Sequence, residues 1–166
     1  MIEYNIFDNN MDCEQGLNLE DTLDKFVAEL QAEINRGTLE TYGEVVFKRW
    51  QEPLYMSRMA LADGYARVTG SCGDTMEIFL RFEEGQVKEA SFWTDGCASS
   101  MVCGSYAAEL ARGKTLEELS NITGKTILDI LGGLPDHDRH CAFLAAETLQ
   151  KALEHYLNVT GKNERT

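Results

Sequence analysis

The chain is short of positive charge: 15 lysines and arginines stand against 28 aspartates and glutamates, for a net charge of −13. That balance excludes an unspecific grip on nucleic acid, which needs a basic face, and it excludes docking on anionic membranes. No apolar run reaches about 18 residues, so no membrane-crossing helix is expected. The opening Met1-Ile-Glu-Tyr-Asn lacks the basic-then-apolar layout of a signal peptide, and a cytoplasmic setting with reduced thiols follows as the expectation. Five cysteines, an odd number, do not close into a disulfide framework. Internal repeats and low-complexity tracts are also missing. The Asn-x-Thr triplets at Asn121 and Asn158 mean nothing in a protein that is never secreted.

What remains is 166 residues, 43% of them hydrophobic. That is enough for one domain with a sizeable core, plus an extension. Residues 1–17 are polar and without period, and a mobile segment is expected there. Leu23, Phe26, Val27, Leu30 and Ile34 recur at helical spacing and Gly37 closes that pattern. A second short helix is expected from about Leu39 to Trp50, stopped by Pro53, and Leu54–Gly64 reads as loop with a helical turn.

The period then changes. Met76, Ile78, Leu80 and Phe82 alternate with polar or outward positions, as in a half-buried strand. Glu84-Gly85 is a turn signal, Val87–Thr94 alternates again, and Tyr65–Thr69 supplies a third strand. After Gly96 the helical period returns through Ala98, Met101, Val102, Ser105 and Ala108, with Gly113 as its stop. Thr115-x-x-Glu118 is a capping box, Thr126–Leu131 reads as a further helix, and Pro135 breaks the chain. One long amphipathic helix is expected from about Asp138 to Leu157. Helices, then a small antiparallel sheet, then helices define an α+β domain.

Candidate ligands sit where these elements begin or end: Cys72-Gly-Asp74, Gly96-Cys97 and His140-Cys141. Thiolate and imidazole select zinc or iron–sulfur chemistry rather than calcium or magnesium. Gly73 lets Cys72 and Asp74 bend toward one ion. Cys97 opens a helix, where free N–H groups and the helix dipole favour a thiolate. His140 and Cys141 fall in the first turn of the last helix, with Asp136 or Asp138 available as its N-cap. Three element ends meeting in this way predict an exposed site. Cys103, in mid-helix, reads as a small core hydrophobe, Cys13 as incidental, and His137 and His155 as surface residues.

Ser71-Cys72-Gly73-Asp74, Thr94-Asp95-Gly96-Cys97-Ala98-Ser99 and Gly133-Leu134-Pro135 with His140-Cys141 resemble the IscU/NifU-type iron–sulfur cluster assembly scaffolds. So do the upstream Tyr42-x-x-Val45-Val46 with Pro53, and Lys114-Thr-Leu-Glu-Glu. The resemblance implies a three-stranded antiparallel sheet packed with several helices and a long C-terminal helix. It divides the chain into a helical N-terminal extension at 1–40, the scaffold domain at 41–157 and a flexible tail at 158–166. It also implies that Cys72, Cys97 and Cys141 are thiolate ligands and sulfur acceptors. Asp74 would hold metal and govern lability, and His140 would be the alternative or additional ligand. No residue is implied to be catalytic.

The implied role is that of a non-enzymatic carrier. It would take sulfur from a cysteine desulfurase, combine it with iron, and pass a transient 2Fe–2S cluster to apo-proteins, and the same thiolates would also suit Zn²⁺. Asp136, His137 and Asp138 stand where the family's common form carries a second proline and a lysine. That departure sets a hand-off to an Hsp70-type chaperone in question. The N-terminal helix would dock on the domain, on a second copy to give a homodimer, or on a partner. The runner-up reading is a zinc-bound sulfurtransferase resembling SufU. That branch carries an insertion between the second and third cysteine motifs, whereas only 42 residues separate Cys97 from His140 here. A structural zinc module is the weakest reading, since it would carry closed Cys₄ or Cys₂His₂ ligation.

Overall fold

The computed structural model describes residues 19–163, so the expectations for the first 17 residues and for Cys13 lie outside the described part. The described residues divide into two units, one ending at Gly37 and one beginning at Thr38. Helix α1 (Leu19–Gln51) opens the described chain. It does not stop at Gly37 as the periodicity predicts. Its break is at Gly43, where φ is 78° and ψ is 170°, a conformation that only glycine adopts without strain. In the first unit Leu23, Phe26, Val27 and Leu30 are exposed.

In the second unit, β1 (Gly64–Thr69), β2 (Thr75–Glu83) and β3 (Gln86–Thr94) form an antiparallel sheet in that order. The register sets Ala66 opposite Ile78 and Ile78 opposite Phe92. Glu84 and Gly85, with φ of 52° and 79°, make the two-residue turn whose twist suits a hairpin. The Leu54–Gly64 segment is a loop in which Met56 bridges to Phe92. The central strand departs from the half-buried expectation, because Thr75 to Leu80 are buried on both faces. On the outer face the Tyr65 ring lies against Phe79, and Arg58 and Tyr65 reach the Glu77 carboxylate.

Four helices follow: α2 (Ala98–Ala111), α3 (Leu116–Ser120), α4 (Gly124–Leu131) and α5 (Arg139–Asn163). The expected capping box is present at Thr115 and Glu118, and a second one forms between Thr123 and Thr126. Helix α5 runs past the expected stop at Leu157 to Asn163, with Thr160 Oγ1 donating to the Tyr156 carbonyl. Because Met76, Ile78, Leu80 and Phe92 fill the inner sheet face, α2 and α5 bring mostly small side chains to it: Cys103, Ala107 and Ala108, and Ala142, Ala145 and Ala152. This close approach places the start of α2 and the start of α5 side by side.

Gly104 shows how tight the packing is. A Cβ there would clash with the Phe92 ring, at 2.8 Å from Cε2. Alanine improves helix propensity by about 1 kcal/mol, but overpacking costs about 1–3 kcal/mol. Gly104→Ala is therefore expected to destabilise the domain by up to about 2 kcal/mol in chemical denaturation. An unchanged or raised midpoint would mean that Phe92 has room to yield.

Candidate metal centre

The site is built from three backbone junctions. The first is the turn between β1 and β2, where the Gly70 amide donates to the Asp74 carbonyl at 2.9 Å and Gly73 adopts φ 92°. This turn carries Cys72 and Asp74. The second lies between β3 and α2. Here Thr94 Oγ1 donates to the Thr75 carbonyl at 2.7 Å and accepts from the Gly96 amide at 3.0 Å, so the end of β3 is tied to β2 just before Cys97 caps α2. The third is the start of α5, where the Cys141 amide donates to the Asp138 carbonyl at 3.0 Å.

These junctions bring one carboxylate oxygen of Asp74 and the sulfurs of Cys97 and Cys141 within 4.8 Å of one another. The two sulfurs are 4.0 Å apart. A tetrahedral ion with metal–sulfur bonds of about 2.3 Å spans roughly 3.8 Å between its sulfurs, so this pair can close on an ion with little movement. His140 Nε2 lies 3.6 Å from Cys141 Sγ, at the margin of the set. Cys72 is exposed and stands outside it. Of the five sequence-derived candidates, three converge, one is adjacent and one, Cys72, is exposed and outside the group.

Ser100 organises the group. Its hydroxyl donates to Asp74 Oδ2 at 2.6 Å and lies 3.3 Å from Cys141 Sγ. The Cys97 amide donates to the same Asp74 oxygen at 3.2 Å. The Ser100 hydrogen bond, joined by the Cys97 amide, holds the Asp74 carboxyl below its ordinary range against the opposing effect of burial. Asp74 therefore stays an ionised, hard oxygen donor. Gly96 is needed for this approach, since a Cβ there would lie 2.5 Å from Asp74 Oδ2.

The expectation of an exposed site needs correction. Cys97 is exposed, but Cys141 is fully buried. Burial pushes the Cys141 thiol up to about 12, with the nearby Cys97 adding to the shift. Motif position marks the ends of the elements, whereas burial depends on what packs over them. Cys103 lies in the core as expected, and burial raises its pKa too. His137 and His155 are exposed, as expected. Motifs alone miss Ser99 and Ser100. Their signal is nevertheless present, since two serines follow the cysteine that caps α2 and so occupy its first turn, where hydroxyls can reach neighbouring donors and acceptors.

The chain has relatives of known family. Residues 41–163 match the family profile described as the NifU-like N terminal domain. The chain is 36% identical over 125 residues to the iron–sulfur cluster assembly scaffold protein IscU 1 of Archaeoglobus fulgidus, covering 75% of this chain and 82% of that one. It is 32% identical over 126 residues to the scaffold protein IscU of Aquifex aeolicus, covering 74% and 80%. Among solved structures, a NifU-like N-terminal protein from Brucella abortus superposes with TM-score 0.58 at 18% identity, covering 72% of this chain and 96% of that one. A putative scaffold protein of the SUF system from Fervidobacterium islandicum superposes with TM-score 0.57 at 19% identity, covering 70% and 98%. These two likenesses speak for the fold.

Proposed function

The chain belongs to the NifU-like N-terminal domain family, and on that premise we propose that it is a scaffold on which an iron–sulfur cluster is assembled and from which it passes to other proteins. The observation that carries the reading is the convergence of Asp74, Cys97 and Cys141 ligand atoms within 4.8 Å. The cluster is cargo here. Cys97 and Cys141 are its thiolate ligands, Cys72 is the third, and either Asp74 or His140 completes the set. A mixed sulfur and oxygen or nitrogen set holds a cluster less firmly than four thiolates do, which suits a protein that must give its cluster away. Cys72 and Cys97 are exposed while Cys141 is buried. Sulfur from the donor, a cysteine desulfurase in this reading, therefore arrives at an exposed thiol. The cluster type is 2Fe–2S.

The test is the iron and acid-labile sulfide content after anaerobic incubation with iron, cysteine and a cysteine desulfurase. Equal amounts of iron and sulfide are expected. Retained zinc with no iron uptake would replace the scaffold with a sulfurtransferase.

Metal uptake by this site should also depend on pH. The Cys141 thiol, raised to about 12, carries its proton at neutral pH and must lose it to become a ligand. The protonated form opposes binding, so affinity rises with pH. Each proton released contributes about tenfold per pH unit, and a zinc affinity at least about tenfold tighter at pH 8 than at pH 7 is expected in competition titrations. A flat profile would remove Cys141 from the ligand set.

A further inference from the structure

Asp138, the residue just before α5, has a carboxylate with only 14% of the side chain exposed. Its Oδ2 accepts from the Tyr42 hydroxyl at 2.8 Å and from Ser99 Oγ at 2.9 Å, with His137 Nε2 at 3.6 Å. Among the described residues no lysine or arginine forms an ion pair with it. A largely buried carboxylate is costly unless donors meet its charge, and here two hydroxyls from two other elements do so. A residue in this position commonly turns its side chain onto the first amides of its own helix. Asp138 instead offers its backbone carbonyl to the Cys141 amide and sends the carboxylate across to α1 and α2.

The consequence is a short mechanical link between Cys97 and Cys141. Ser99 lies two residues after Cys97 on the rigid first turn of α2, and the Asp138 carbonyl holds the amide of Cys141. Tyr42 closes the link from the third side, where it lines a cavity of about 150 Å³ with Val46, Trp50, Ala98 and Ser99. The Asp138 hydrogen bond and burial hold the Tyr42 phenol above its ordinary value, so it remains a donor.

We infer that Asp138 is a positioning residue of this centre: by accepting from Tyr42 and Ser99 it pins the start of α5 to the start of α2, sets the separation of Cys97 and Cys141, and keeps Cys141 covered. Its consequence for metal binding rests on the ligand roles given above, whereas the placement of the thiols can be measured without any metal.

The experiment is pulsed alkylation of the metal-free, full-length chain with iodoacetamide, with each cysteine followed by peptide mass spectrometry. Cys103 is as buried as Cys141 and reports general loosening. In Asp138→Ala, Cys141 is expected to react at least about tenfold faster than in the wild type while Cys103 does not change. Asp138→Asn, which keeps a carbonyl acceptor, is expected to stay near wild type. Titration with Co²⁺ should show Asp138→Ala binding about 10–100-fold more weakly, as removal of a group that orients a ligand does, with Asp138→Asn again restored. Unchanged Cys141 reactivity in Asp138→Ala would overturn the inference. So would Cys103 rising in step with Cys141, which makes the residue merely structural, or a failure of asparagine to rescue. If the alkylation pattern is as expected but the wild type takes up no Co²⁺ through its thiols, the metal reading fails and the positioning role stands.

Discussion

Replacing Cys97 with serine is expected to abolish cluster loading while leaving the fold intact. The sulfur lies 4.0 Å from Cys141 Sγ and within the 4.8 Å set with Asp74. Serine offers a hard hydroxyl in its place, which does not ionise near neutral pH and has little affinity for soft metal. The structural contributions of this residue come from its backbone, which a serine keeps. Its amide donates to Asp74, its carbonyl accepts from the Met101 amide, and the side chain is exposed. Stability should therefore shift by no more than about 0.5 kcal/mol. Cys103→Ser is expected to do the reverse. That thiol is fully buried in the core, and a hydroxyl placed there without a ready partner costs roughly 1–3 kcal/mol. Loading of the folded protein should nevertheless be unchanged. The measurement is iron and sulfide per chain beside a denaturation midpoint. Cluster formation on Cys97→Ser, or its loss on Cys103→Ser, would require a different ligand set.

Asp74→Ala is expected to lengthen the life of a loaded cluster. Ser100 and the Cys97 amide hold the carboxylate ionised and aimed at the two sulfurs. It contributes a hard oxygen to a site otherwise made of soft donors, the kind of mismatch that lets a cluster leave. Removing it should slow release at least about tenfold, at the lower end of what changes around a metal site produce. The fold should lose about 1 kcal/mol, since one hydroxyl and one amide lose their acceptor. Decay of the cluster's visible absorbance in the presence of a chelator measures the effect. A shorter half-life would show that Asp74 holds the cluster rather than loosens it.

Residues whose roles are local are legible in the amino-acid sequence. The hairpin at Glu84-Gly85, the capping box at Thr115 and the strand through Met76 and Phe82 all follow from bond rotation and short-range hydrogen bonding, and all three appear in the fold, although burial on both faces replaces the expected alternation between Thr75 and Leu80. The break in α1 is not legible in the same way, because Gly37 and Gly43 are equally permissive. Only Gly43 takes the non-helical conformation within α1. The candidate ligand motifs at Cys72, Asp74, Cys97, His140 and Cys141 are legible as chemistry, because few residue types bind soft metals.

The sequence by itself determined the α+β order of elements, the set of candidate metal-binding residue types and their position at the ends of those elements. Only the tertiary structure decided that Cys141 is buried while Cys72 is exposed. The same holds for Ser100, which bonds Asp74 from a position 26 residues away, and for Tyr42, which bonds Asp138 across 96 residues. The physical reason is distance along the chain. Periodicity and caps report energies within a few residues, whereas which ligand is covered and which hydroxyl meets which carboxylate depend on how α2 and α5 seat on the sheet, and only the packed core sets that.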